Sequence, residues 1–216
     1  MNLTPIQDIW KLTDDGKDAW PLLYTNPIKG TCCEVRLNLK DNLIKRKFSI
    51  NSITVNGKQS TQHGDLTEER IKNFFLNEVK YLEYLKDTPW IPKTVDYNID
   101  EQWLIQEFYG PDLLSYEWQD MKPFLKEQAI EMYKFFKSVN MIKCNGSLSN
   151  MTLNTKNKQL IAIDFKWADK IIWKEESTKA NKISLMLEMR SYWKWLSKID
   201  RELPTILLEI LDDPIP

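Results

Sequence analysis

The spacing of hydrophobic positions changes character several times along the 216 residues. Between residues 28 and 56 apolar and polar side chains alternate, as in Val35-Arg36-Leu37-Asn38-Leu39, and continue through Leu43 to Ile50 and Ile53 to Val55. Gly30-Thr31-Cys32-Cys33, Asp41-Asn42 and Asn56-Gly57 supply turns between these runs, so the segment predicts an antiparallel sheet. The period then lengthens. Ile71, Phe74, Phe75, Val79, Leu82 and Leu85 keep helical spacing, after an N-cap signal in Asp65-Leu66-Thr67-Glu68, and predict a helix over 66–86. Thr88-Pro89 and Ile91-Pro92 stop it, because proline removes a donor and restricts the residue before it.

Two more strands, Val95 to Tyr97 and Trp103 to Phe108, precede a connector at Tyr109-Gly110-Pro111-Asp112. Residues 123–139 again have helical periodicity, in Phe124, Ala129, Ile130, Tyr133, Phe136 and Val139. Leu160 to Ile163 has the length and branching of a buried strand, and Met151 to Leu153 forms its hairpin partner. A short helix near Ile6 to Leu12, a polar loop over Trp173 to Lys182, a long helix from Ile183 to Ile199 and a last one near Pro204 to Leu211 complete the reading. The fold class is α+β. Its boundary falls at the connector, with residues 1–108 carrying the antiparallel sheet plus one helix and residues 109–216 a small, mostly helical half.

Polar residues in apolar surroundings mark the candidate chemistry. Glu78 falls inside the hydrophobic stripe of its helix, where a carboxylate needs a cation, and Lys45 in an apolar strand is a candidate partner. The hairpin between residues 143 and 170 places Asn150 and Asp164 at the same end of two paired strands. An amide oxygen beside a carboxylate suits a hard cation such as Mg2+. The bland alternative is a surface hairpin with ordinary polar ends.

Composition narrows the classes. A net charge of −1 and a pI near 6.0 speak against a dedicated nucleic-acid binder. Three cysteines, two of them adjacent, make no disulfide framework, and a single histidine leaves little for zinc. The first residues lack the pattern of a signal peptide, and no stretch has the length of a membrane span. These features lead to the expectation of a cytoplasmic protein.

A strand lysine, a helix glutamate, a glycine-containing connector and an N…DF pair, in that order, resemble the protein-kinase-like fold, nearest in feel to its compact, RIO-like atypical members. The resemblance covers roughly residues 28–200. It implies two lobes, with ATP and Mg2+ as cofactors. Lys45 would hold the α- and β-phosphates and Glu78 would orient it, while Gly30 stands where a glycine-rich phosphate loop would be. Glu107 to Tyr109 would be the hinge that meets the adenine. Lys143 to Asn150 lies over the H-R-D-x-x-x-x-N loop and Asp164-Phe165-Lys166 over D-F-G, making Asp164 and Asn150 the metal ligands. The sequence departs from the pattern: Asn145 stands for the catalytic carboxylate, Lys143 for the histidine and Lys166 for the glycine, and Gly30 is the only glycine where a glycine-rich loop would be. No A-P-E follows, which speaks against control by a phosphorylated activation loop. Three functions are consistent with this pattern. One is a phosphotransferase acting on a protein or small-molecule hydroxyl. The second is a pseudokinase that binds nucleotide or scaffolds without turnover, and the third a plain α+β domain.

Overall fold

The computed structural model describes residues 10–13, 20, 22–25, 33–49, 54–55, 58–59, 67–113, 121–143, 147–170 and 196–212. It is a mixed α+β structure in two compact units, residues 6–109 and a second made of residues 1–5 and 110–216.

The first unit is built on a six-stranded antiparallel sheet. Its strands are β1 (Trp10–Thr13), β2 (Leu22–Thr25), β3 (Cys33–Asn38), β4 (Leu43–Phe48), β7 (Thr94–Asn98) and β8 (Trp103–Glu107). They lie in the order β1-β2-β3-β4-β8-β7, so the chain leaves β4 and returns to add β7 at the edge and β8 beside β4. A short hairpin, β5 (Thr54–Val55) with β6 (Lys58–Gln59), stands outside that sheet. The helix expected near Ile6 to Leu12 is corrected at Trp10 to Leu12, and Ile6 to Ile9 lie outside the described residues. Residues 10–13 pair with β2 as a strand, Trp10 opposite Thr25, because Trp10-Lys11-Leu12-Thr13 alternates and a neighbouring strand offers it a ladder.

The crossover contains helix α1 (Glu68–Tyr84). Thr67 caps it, its side-chain oxygen accepting from the Arg70 amide at 3.2 Å, with Glu68 and Glu69 in the first turn where the helix dipole favours acid. Ile71, Phe74, Phe75, Val79 and Leu82 bury one face, and Phe75 meets Phe48 of β4 edge-on with ring centroids 5.5 Å apart. The Asp41-Asn42 turn between β3 and β4 takes shape with Asn42 at φ 53°, which asparagine tolerates, and Asn38 Oδ1 accepting from the Asp41 amide.

The second unit has a helical and a sheet component. Helix α2 (Lys122–Ser138) buries Leu125, Ala129, Met132, Tyr133 and Phe136 against β9 (Met141–Lys143), β11 (Gln159–Ala162) and α3 (Leu203–Asp212). β10 (Met151–Asn154) pairs antiparallel with β11, Met151 opposite Ala162 and Asn154 opposite Gln159. β12 (Ala168–Lys170) pairs with β9, Ala168 opposite Lys143. Met151, Thr152, Leu153, Leu160, Ile161 and Ala162 are all buried, so both faces of this hairpin are covered. It is no surface hairpin. Gly110 begins the unit at φ 132°, a conformation that glycine adopts without steric cost, and Thr152 Oγ1 fastens the connector by donating to the Pro111 carbonyl at 2.6 Å. The loop over Trp173 to Lys182, and most of the helix expected from Ile183, lie outside the described residues.

Candidate functional site

In the first unit, the cation that meets Glu78 is Arg46. The Arg46 guanidinium donates through Nη2 to Glu78 Oε1, and the two side chains are 11% and 0% exposed. The same nitrogen donates to Gln106 Oε1 at 3.2 Å. This corrects the expected Lys45–Glu78 pair. Side chains along a strand alternate, and Ile44, Arg46 and Phe48 share the face on which α1 lies, whereas Lys45 takes the opposite face. There its ammonium sits 5.6 Å from the centre of the Trp103 ring, a cation–π contact. Counting alternate residues back from Phe48, which is plainly a core residue, would have singled out Arg46.

The segment proposed as a hinge uses much of its backbone within its own unit. The Glu107 amide donates to the Lys93 carbonyl at 2.9 Å and the Phe108 amide to Asn42 at 2.7 Å. The Tyr109 hydroxyl donates to Glu107 Oε2 at 2.5 Å. Partial burial, then the hydrogen bond to that carboxylate, push its pKa up to about 12.

The second unit builds the region around Asn150 and Asp164. Ser147 caps a single 3-10 turn over Leu148 to Asn150, which leads straight into β10. The Ile163 amide donates to the Asn150 carbonyl at 2.9 Å, extending the β10–β11 ladder by one rung. Asn150 and Asp164 therefore leave the same end of one hairpin. Asn150 is only 8% exposed. Asp164 has φ 64°, a left-handed conformation that aspartate tolerates better than most side chains and that turns the chain sharply out of β11.

Phe165 anchors that turn. It is fully buried, meets Phe136 of α2 edge-on at 6.1 Å, and lies 5.4 Å from the Lys143 ammonium. Lys143 itself is 1% exposed, so the position over the expected histidine is a buried lysine on the ring of the residue after Asp164. The turn is closed by the Ala168 amide, which donates to the Phe165 carbonyl at 2.9 Å. Lys166 emerges from the other side of this anchor, and its Nζ donates to Asp164 Oδ2 at 2.6 Å.

The carboxylate and the amide at this hairpin end are hard oxygens of the kind a Mg2+ arriving on phosphates takes, and Asp164 Oδ2 is held by the Lys166 ammonium. No larger cluster of acidic, histidine or cysteine side chains occurs among the described residues. Asn145 and Gly30 lie outside the described residues. No helix among the described residues is long and apolar enough to cross a membrane.

No protein-family model and no curated protein matches the chain. Among solved structures it is similar to that of the bifunctional kinase-methyltransferase WbdD, at 14% identity and a TM-score of 0.49, over 95% of this chain and 53% of that one. The chain thus spans about half the length of that protein.

Proposed function

We propose that the protein is a nucleotide-binding phosphotransferase of the kinase type, acting on the hydroxyl of a protein or small molecule. The observation that carries this reading is Asp164. It stands in a left-handed conformation at the end of a hairpin whose strands are buried, one residue beyond the rung that joins Ile163 to Asn150, and is followed by the fully buried Phe165. Unusual backbone conformations that a core over-determines are a signature of functional positions.

Asp164 and Asn150 are the residues that would hold a Mg2+ on the nucleotide phosphates once Lys166 had left Asp164 Oδ2; bound there, the ion would neutralise phosphate charge. The rest of the work falls to the chain itself. Glu78 holds a strand cation in a fixed direction, and that cation is Arg46, whose Nη2 is shared between Glu78 and Gln106. Lys45 keeps a second positive charge on the other face of the same strand. Since Glu107 and Phe108 use their amides inside the unit, adenine recognition passes to the backbone of Tyr109.

Transfer breaks the bond between the γ-phosphorus and the bridging oxygen, which stays with the diphosphate, and forms one to the acceptor hydroxyl, whose proton passes to a phosphoryl oxygen or to water. Asn145 has no basic oxygen to receive it. Because the transition state is loose, positioning and charge dominate, so Asn145 lowers turnover far more than it lowers nucleotide affinity. The same amide favours a second reading, a nucleotide-binding pseudokinase that scaffolds without turnover.

Calorimetric titration of the protein with ATP tests the shared premise; no binding, with or without Mg2+, ends both readings. An ATPase and autophosphorylation assay comparing this sequence with Asn145→Asp separates them. Turnover in this sequence, or a large gain in the variant, favours the phosphotransferase lineage, and silence in both with ATP bound favours the scaffold.

A further inference from the structure

The pair formed by Asp164 and Lys166 is poorly explained as a stabilising contact. The residues are two apart, so the contact closes almost no chain, and both side chains are withdrawn from water, at 16% and 14% exposure. Desolvating two charges for one local contact contributes little net stability. Its geometry is nevertheless tightly set. Phe165 is pinned between Phe136 and Lys143, the Ala168 amide closes the turn behind it, and the left-handed backbone of Asp164 brings the flanking side chains together at 2.6 Å. The fold thus holds a positive charge on the oxygen that a divalent cation would take.

We infer that Lys166 is a tethered cation that takes the place of a divalent ion at Asp164, so that the protein binds a nucleoside triphosphate with little dependence on Mg2+. The inference rests on the nucleotide-binding reading above and adds to it how the charge is supplied. An ammonium carries three N–H donors and no acceptor, so one group can bridge Asp164 and a phosphate oxygen as a metal bridges a carboxylate and a phosphate. It differs from the metal in two ways. Its charge is one rather than two, so it neutralises phosphate less completely. It also belongs to the chain, so no entropy is lost in recruiting it and no chelator removes it. A compact, strongly hydrated point charge is the lysine property that fits this place, which the wider, planar guanidinium of arginine shares only in charge. A divalent ion reaches Asp164 only when Lys166 swings away.

The test has two arms, applied to this sequence, Lys166→Met and Lys166→Arg. In the first, ATP binding is measured by calorimetry in excess EDTA and again in excess Mg2+. Affinity for this sequence that changes by less than about threefold between the two media, with Lys166→Met losing about tenfold in EDTA and recovering it with Mg2+, supports the inference. Lys166→Arg is expected to stay between them, which keeps the test decisive if the methionine variant folds poorly. Strict Mg2+ dependence in this sequence, unchanged in the variants, overturns it. The second arm uses Mn2+ alone, followed by the loss of its free-ion paramagnetic resonance signal. Lys166→Met, but not this sequence, is expected to take up Mn2+; equal uptake or none in both overturns the inference. If ATP binds no form in either medium, the nucleotide reading fails, and the Mn2+ arm still decides what occupies Asp164.

Discussion

Arg46 and Glu78 meet across 32 residues of chain, from a central strand to a crossing helix, while Asp164 and Lys166 meet across two. Both are carboxylate–cation pairs and each contains a carboxylate that the sequence marks as a candidate, yet they solve different problems. The first is sealed, with Glu78 wholly buried and Gln106 sharing the same guanidinium nitrogen, so it ties α1 to β4 and fixes where a cation points. The second lies in a turn, keeps about a sixth of each side chain in contact with water, and ties together nothing that the backbone has not already joined. A long-range buried pair carries the fold's geometry. A local, partly hydrated one adds little to that geometry.

The contrast is broken most directly through stability. Arg46→Met leaves Glu78 as a buried charge without its cation and is expected to lower unfolding free energy by about 3–5 kcal/mol in urea denaturation. Lys166→Met leaves Asp164 able to take up water and is expected to cost no more than about 1 kcal/mol by the same measurement. Equal losses in the two variants would show that the pairs do the same work, and the contrast would fail. Thr67→Ala, which removes the cap of the helix carrying Glu78, is expected to cost about 1 kcal/mol, read as a lowered melting temperature with the far-ultraviolet spectrum preserved.

The smallest effect is confined to alkaline solution. The Tyr109 pKa is raised to about 12 from the ordinary value of 10.0 by burial and by the Glu107 carboxylate. A group whose folded pKa is raised contributes stability that is fully present below its unfolded value and is lost as pH rises from about 10 towards about 12. Tyr109→Phe should flatten that part of the stability curve and remove one late-titrating phenol from the absorbance change near 295 nm. A phenol that titrates at the ordinary value would show that the Tyr109–Glu107 contact does not hold in solution.

Periodicity was enough for most elements, because amphipathic segments advertise their buried face. α1 and α2 fall within two residues of the segments that helical spacing marks, and the β10–β11 hairpin forms where two short apolar runs flank a polar turn. Of the helix expected near Ile6 to Leu12, Trp10 to Leu12 form strand, since so short a run carries too little pattern to choose between periods and a neighbouring strand decides the matter. The site followed the same division. That Asn150 and Asp164 leave one end of a hairpin was legible because a hairpin's register is set locally by its turn. The partner of Glu78 was not, because Lys45, Arg46 and Lys47 are three cations in a row and only the parity of the strand against α1 selects one.

What the sequence determined by itself, then, was the place and type of α1, α2 and the β10–β11 hairpin, the burial of Glu78 on α1, and that Asn150 and Asp164 leave the same end of that hairpin, all of which depend on near neighbours. Only tertiary structure decided which cation Glu78 meets, that Lys143 lies buried on the Phe165 ring, and that Lys166 turns back onto Asp164. Each of those depends on which way a side chain faces once a strand is docked or a turn is closed. One residue of register reverses every such direction while leaving the hydrophobic pattern almost untouched.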